Sequence, residues 1–182
     1  MPKYFLAVLP PKSISNEIVD FQKELERKFG CVHAQKAPPH ITVVPPFDCS
    51  EEKLELFVTN IVGFLNDKST IDTNIHLDSF QRFESRTLFV DVAKNEKFET
   101  FCKDLKTLFN RQRIMKKRVE KHYFVPHITL ANKDIKKRDF KTAWTELKNR
   151  EYQRSFTLTN LNVLELVKDN WFVKRNISTK VI

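Results

Sequence analysis

The hydrophobic positions of this chain switch between strand-like runs and helix-like spacing, and the switches follow an order. Tyr4 to Leu9 is a continuous apolar run, which predicts a buried strand stopped by Pro10-Pro11. Ile14, Ile18, Phe21, Leu25 and Phe29 then recur every three or four residues, the stripe of an amphipathic helix that Ser13 or Ser15 can cap and Gly30 can end. A short segment around Val32 to Gln35 leads to Pro38-Pro39 and a strand at Ile41 to Val43. Beyond it, Val44-Pro45-Pro46-Phe47 is expected as a loop, because consecutive prolines cannot continue a central ladder. Ser50, with Glu51 and Glu52 behind it, opens a second helix whose buried stripe is Leu54, Phe57, Val58, Ile61 and Leu65.

Ile71, Thr73, Ile75 and Leu77 alternate with polar residues, a strand with one wet face, and Thr87 to Val92 is its partner across a turn at Gln81 to Arg86. Asn95 caps a third helix with Phe98, Phe101, Cys102, Leu105 and Phe109 inward. After a strand at His127 to Leu130 comes a fourth helix with Phe140, Ala143, Trp144 and Leu147 on one side. Two strands finish the chain, Phe156 to Val167 and Trp171 to Ser178, joined by a Lys168-Asp169-Asn170 turn. Strand, helix, strand, helix, strand therefore runs over 4–80 and again over 87–167. That order predicts a duplicated lobe, the copies related by a pseudo-two-fold, within a single bilobal domain of 1–182.

The middle strand of each repeat carries the same short stretch, Pro39-His40-Ile41-Thr42-Val43 and Pro126-His127-Ile128-Thr129-Leu130, with the histidines 87 positions apart (127 − 40). Side chains two apart share a strand face, so each stretch presents one imidazole and one hydroxyl together while its apolar residues face a core. A lone His-x-Thr is a weak signal in a chain with 5 histidines; two at equivalent points of a repeat are a strong one. The pseudo-two-fold would bring them together at the lobe interface, where ligand clefts tend to sit. Neither strand offers a second metal ligand at i+2 or i+4 and Thr is a poor zinc ligand, so no metal or other cofactor is expected. Cys49 is near His40 in sequence but beyond the proline-rich loop, which argues against a Cys-His nucleophile. His76, on the wet face of its strand, is a further candidate for the cleft; nothing in the spacing recommends His33 or His122.

Composition narrows the partner. The 182 residues carry a net charge of +9, which favours an anion, nucleic acid before membrane. The densest positive run is Arg111 to His122, where Arg111, Arg113, Lys116, Lys117, Arg118 and Lys121 face a single Glu120. With 2 glycines and 16 phenylalanines the interior is expected to be rigid and aromatic. Cys31, Cys49 and Cys102 are an odd number without Cys-x-x-Cys spacing, consistent with reduced thiols in a cytoplasm. The N-terminus has no cleavage signal and no apolar stretch approaches membrane-spanning length, so a cytosolic protein is expected.

Imidazoles titrate near 6.5, so one of a pair can be neutral and the other protonated, as general base and general acid. Acting on a phosphodiester, one removes a proton from the attacking oxygen and the other protonates the departing one, while the hydroxyls of Thr42 and Thr129 donate to phosphate oxygens. The paired motifs, the opening Tyr4-Phe5-Leu6-Ala7-Val8-Leu9-Pro10-Pro11, the run from the first motif to Pro46-Phe47, the Leu130-Ala131-Asn132-Lys133-Asp134 after the second and the aromatic C-terminal strands together resemble the 2H phosphoesterase superfamily, in particular its 2′-5′ RNA ligase branch. The resemblance implies an α+β bilobal fold, two antiparallel sheets lining a central cleft with helices outside. It also implies a metal-independent enzyme that opens RNA 2′,3′-cyclic phosphates to 2′-phosphates, in some members with weak reversible 2′-5′ ligation. By it, His40 would protonate the leaving 3′ oxygen and His127 would take the proton of water, although the pseudo-symmetry leaves the roles exchangeable. Where many relatives have an Arg shortly after the second Thr, this chain has Ala131-Asn132-Lys133, so Lys133 stands in as a point charge. Phe47 and Tyr123, next to the motifs, are candidates for stacking on a base. Turnover of 2′-5′ linked or cyclic oligonucleotides, and RNA binding without catalysis, stay open as alternatives, and a monomer is expected.

Overall fold

The computed structural model describes residues 1–67, 74–84, 86–114, 119 and 125–179. In chain order the elements are β1 (Lys3–Val8), α1 (Lys12–Phe29), a 3₁₀ turn (His33–Lys36), β2 (Ile41–Asp48), α2 (Glu51–Asn66), β3 (Asn74–Phe83), β4 (Thr87–Val92), α3 (Glu96–Arg111), β5 (His127–Asn132), α4 (Lys137–Leu147), β6 (Gln153–Thr157), β7 (Asn160–Val167) and β8 (Asn170–Ser178). The strands form one antiparallel sheet in the order β6-β3-β4-β5-β2-β1-β7-β8. Its two four-stranded halves, the two sheets expected from the sequence, join at its middle through one pair, Ile41 opposite Ile128. All else follows from that seam, because it sets the two His-x-Thr strands side by side.

Strand β1 illustrates how the sheet divides two environments. Tyr4, Leu6 and Val8 join the main core with the helices, while Phe5 and Ala7 turn to the other face and pack with Leu164 beside Leu9, Ala37 and Trp171. Helices α2 and α3 are held by their caps, Ser50 Oγ accepting from the Lys53 N–H and Asn95 Oδ1 from the Phe98 N–H. Helix α1 instead starts after Pro11 with no side-chain cap, and Ser15 Oγ donates to the Pro10 carbonyl, so neither Ser13 nor Ser15 fills the cap position. No helix among the described residues is long and apolar enough to cross a membrane.

Three strand expectations are corrected. Strand β2 runs straight through Pro45-Pro46-Phe47 to Asp48. The prolines fit because the pairs Leu6–Val44 and Tyr4–Phe47 leave one extra residue on β2, a bulge where a missing N–H breaks no ladder bond. The single strand expected over Phe156 to Val167 is two: β6 pairs with β3 at one edge of the sheet, and β7 pairs with β1 in the other half. Leu158 and Thr159 make that crossing without a glycine or proline to mark it. The strand expected from Ile71 is described from Asn74 and runs to Phe83, so the turn to β4 is tighter than expected, with Arg86 in the left-handed region (φ 69).

Candidate active site

The pair Ile41–Ile128 fixes the register, and one step either way along the antiparallel strands sets His40 against Thr129 and Thr42 against His127. Both isoleucines are fully buried, so the flanking residues turn to the opposite face. His40, Thr42, His127 and Thr129 accordingly line one cavity of about 570 Å³.

Each imidazole is locked in the same way. His40 Nδ1 lies 2.7 Å from the Pro38 carbonyl oxygen and His127 Nδ1 lies 2.7 Å from the Val125 carbonyl oxygen, two residues back in both cases. A carbonyl only accepts, so Nδ1 carries the hydrogen and Nε2 is left to accept a proton in the neutral ring. Aromatic rings fix the imidazole planes: Phe5 at 4.7 Å from His40, Phe89 at 4.9 Å and Phe83 at 5.1 Å from His127. Phe5 in turn meets the edge of Trp171 at 4.6 Å.

The electrostatics break the symmetry of the pair. Burial pushes both imidazoles below their usual range. For His40 the Pro38 carbonyl opposes this and the charge of His127 adds to it; for His127 the Val125 carbonyl and the Asp91 carboxylate both oppose it. Asp91 is the cross-strand partner of His127, and its Oδ1 accepts from the Val92 N–H at 3.0 Å. In the other half Ala7 lies opposite Thr42 and Val8 opposite Ile41, so the place across from His40 falls to Leu9, and no carboxylate among the described residues acts on His40 as Asp91 does on His127.

The sequence-based candidates divide. Phe47 is not at the site: it is 1% exposed, in a core cluster with Tyr4, Phe57 and Phe109. Strand pairing sets the faces: Phe47 lies opposite Tyr4, on the side of the main core, whereas Thr42 lies opposite Ala7, on the other side. Lys133 is exposed at the end of β5 with φ 65, its N–H bonded to the Arg86 carbonyl, and Asn132 rather than Lys133 lines the cavity. His76 is not at the cavity; its Nδ1 lies 2.7 Å from Ser155 Oγ across the β3–β6 pair. Tyr123 and His122, with most of the basic run before them, lie outside the described residues.

Residues not singled out from the sequence complete the wall. Lys3, Pro46, Leu166, Asp169 and Trp171 stand at one part of the rim, and Gln22, His33 and Lys36 at another. Asp134 holds the latter in place, its Oδ2 accepting from the N–H groups of Val32 and His33 at 2.7 and 2.6 Å and tying the 3₁₀ turn to the end of β5. Gln22 had a visible signal, a polar residue four after Ile18 in an otherwise apolar stripe. Trp171 had none until the β7–β8 hairpin was closed. Among the described residues no group of three or more His, Cys, Asp or Glu gathers as metal ligands.

Residues 10–170 match the family model of the 2′-5′ RNA ligase superfamily. The chain belongs to that superfamily. Membership carries a phosphodiesterase-type function of the 2H class. A protein of Geobacillus kaustophilus (strain HTA426) named "Putative phosphoesterase" is 23% identical over 94% of this chain and 92% of its own length. A like-named protein of Geobacillus sp. (strain WCH70) is 22% identical over the same shares. Among solved structures, Escherichia coli LigT in complex with NADP+ superposes with a TM-score of 0.65 at 14% identity, covering 97% of this chain and 96% of LigT. A protein of Thermus thermophilus also superposes at 0.65, with 17% identity and 97% of both chains covered. These likenesses establish the 2H phosphoesterase fold, α+β with a curled antiparallel sheet.

Proposed function

We propose that this superfamily member hydrolyses RNA 2′,3′-cyclic phosphate ends to 2′-phosphates without a metal. The observation that carries the proposal is the meeting of two Nδ1-tethered imidazoles and two threonine hydroxyls in one cavity. With both Nδ1 atoms committed to carbonyls, each ring has one atom, Nε2, through which to exchange a proton with a substrate. An oxygen that attacks phosphorus must lose a proton and the oxygen that leaves must gain one, and two such rings supply both transfers. Thr42 and Thr129 donate to the non-bridging oxygens and hold the charge that grows in the transition state.

The roles divide by environment. His127, beside Asp91, holds a proton more readily and is the base that takes it from water; His40, without a carboxylate, releases its proton more readily and is the acid that protonates O3′. Nucleotide complexes of LigT, with NADP+ and with 3′-AMP, support a nucleotide-sized ligand for this fold. The repeat of 4–80 and 87–167 within one bilobal unit of 1–182 gives each half one His-x-Thr strand, which suits a reaction with two proton transfers.

A 2′,3′-cyclic-phosphate RNA incubated with the protein in EDTA tests the reading. A 2′-phosphate end read by mass spectrometry is expected; no turnover, or turnover that chelation abolishes, refutes it. Parallel arms with 2′-5′ linked and cyclic oligonucleotides decide the substrate within the class.

A further inference from the structure

Among the described residues two carbon-ring aromatics, Phe5 and Trp171, line the cavity, and they differ in what they can offer a ligand. Phe5 is 3% exposed and packs on His40 at 4.7 Å, so its ring is spent on the protein. Trp171 is half-buried. It meets Phe5 at 4.6 Å with the ring planes at 76°, and an edge-to-face contact covers at most one side of an indole. Leu166 lies opposite Trp171 across the β7–β8 pair and lines the cavity too. Cross-strand partners share a sheet face, so the two side chains stand together. Val173, two residues along β8 and 48% exposed, lies opposite Leu164, which packs with Phe5, and so extends the same apolar face.

The half of the sheet that carries His127 offers the cavity no such wall among the described residues. The rings packed on His127 are Phe89, itself 2% exposed, and Phe83, and neither lines the cavity. Hydrolysis of a 2′,3′-cyclic phosphate is lopsided in the same way. Water enters on one side of phosphorus and O3′ departs roughly in line on the other. Because O3′ belongs to the ribose, the nucleoside lies on the side of the acid, His40, and the water on the side of His127. A ribose stands between the phosphate and the base, and Phe5 stands between His40 and Trp171.

We infer that Trp171 is the platform on which the base of the terminal nucleotide stacks, an inference that rests on the phosphodiesterase reading above. The base lies on the open side of the indole with Leu166 beside it. Every base has a π-face, so this contact reads the presence of a base rather than its identity, and ends in all four bases are substrates. Holding the base also holds the ribose, which keeps O3′ turned toward His40.

A pair of small substrates tests the platform apart from any structural role of Trp171. Adenosine 2′,3′-cyclic phosphate and methyl riboside 2′,3′-cyclic phosphate share the reacting ring and differ in the base. In wild-type protein kcat/KM is expected to favour the adenosine compound about 10- to 100-fold. That ratio is measured within folded, active molecules, so lost stability does not move it. Trp171→Ala is expected to bring it to within about threefold of unity, and Trp171→Leu, which still covers Phe5 but has no π-face, to do the same; Trp171→Phe should keep most of it. Adenosine 2′-monophosphate should quench the indole emission of wild-type protein but not that of Trp171→Phe, in which Trp144 remains. A wild-type ratio near unity would overturn the inference, as would a ratio that stays high in both Trp171→Ala and Trp171→Leu, or quenching that persists in Trp171→Phe. Wild-type protein that opens neither substrate yet is quenched through Trp171 refutes the phosphodiesterase reading and keeps the platform; neither turnover nor quenching refutes both.

Discussion

At the scale of single residues, the site is a matched pair made unequal by its surroundings. His40→Ala and His127→Ala are each expected to lower kcat about 10² to 10⁴-fold, with little change in RNA binding, and the double variant to cost far less than the product of the two. Steady-state kinetics on a cyclic-phosphate substrate checks this. The inequality predicts a pH effect. Asp91 stabilises the protonated form of His127, so Asp91→Asn lowers its pKa, and the base is then free at lower pH. The limbs of kcat/KM report the pair, and with His127 the more readily protonated of the two, the alkaline limb should move to lower pH while the acid limb, set by His40, stays in place; a shift of the alkaline limb upward would contradict the assignment. The histidines and threonines were legible in the sequence because they repeat and because strand parity places them on one face. Gln22 left only a polar break in its apolar stripe, and Asp91 and Trp171 left no mark, since each reaches the site from a separate element whose neighbour only the topology decides. Phe47 was misplaced for a related reason: it is close to His40 in sequence, but the irregular β2 sets it opposite Tyr4 and so in the core.

At the scale of elements, two joints carry testable weight. Phe47 packs on Phe57 at 6.1 Å and on Phe109 at 4.7 Å, joining β2 to α2 and α3. Phe47→Ala should cost about 3–5 kcal/mol of stability in urea unfolding and leave KM of the remaining folded protein unchanged, the opposite of what a stacking platform would do. Helix α1 is tied beyond the end of α4 by Glu24, which accepts from Arg150 Nη2 and Nη1 at 2.6 and 2.7 Å and from Lys28 at 2.8 Å. Arg150 first, then Lys28, lowers the Glu24 carboxyl to about 2. A depressed carboxyl stabilises the fold above its unfolded value and loses that contribution as pH falls through the folded one. Arg150→Met is therefore expected to cost about 1 kcal/mol at pH 7, and the difference from wild type to fade between about pH 4.5 and 2. Most elements were legible because their periods are clean and Asn95 and Ser50 cap as their chemistry dictates. The β2 bulge and the β6–β7 division were not. Both depend on which strand lies alongside, and a lone chain segment holds no record of its neighbour.

At the scale of the whole molecule, the net charge of +9 and the make-up of the cavity rim act on the same ligand. Lys3 and Lys36 stand on the rim, and among the described residues Asp169 is the one carboxylate that lines it, so these residues present a positive field to an incoming phosphate. Lys3 is partly screened, lying 4.0 Å from Asp48, while its side chain is still 43% exposed. Charges of this kind steer and hold an anion before chemistry begins, and salt screens them over about 10 Å at 0.1 M. The bond-making groups sit deeper, between β2 and β5, where ions in solution reach them least. Raising salt should therefore increase KM for a cyclic-phosphate RNA and leave kcat nearly unchanged, with the logarithm of KM rising linearly with that of salt, by about 0.7 for each phosphate neutralised on a single strand. Replacing both rim lysines, Lys3→Gln with Lys36→Gln, should raise KM at low salt and flatten that slope by about one to one and a half. A mononucleotide cyclic phosphate, with one phosphate to neutralise, should show the shallower dependence even on wild-type protein. If kcat fell with salt as steeply as KM rose, the rim charges would be acting in the transition state, and the division between a steering rim and a reacting seam would have to be given up.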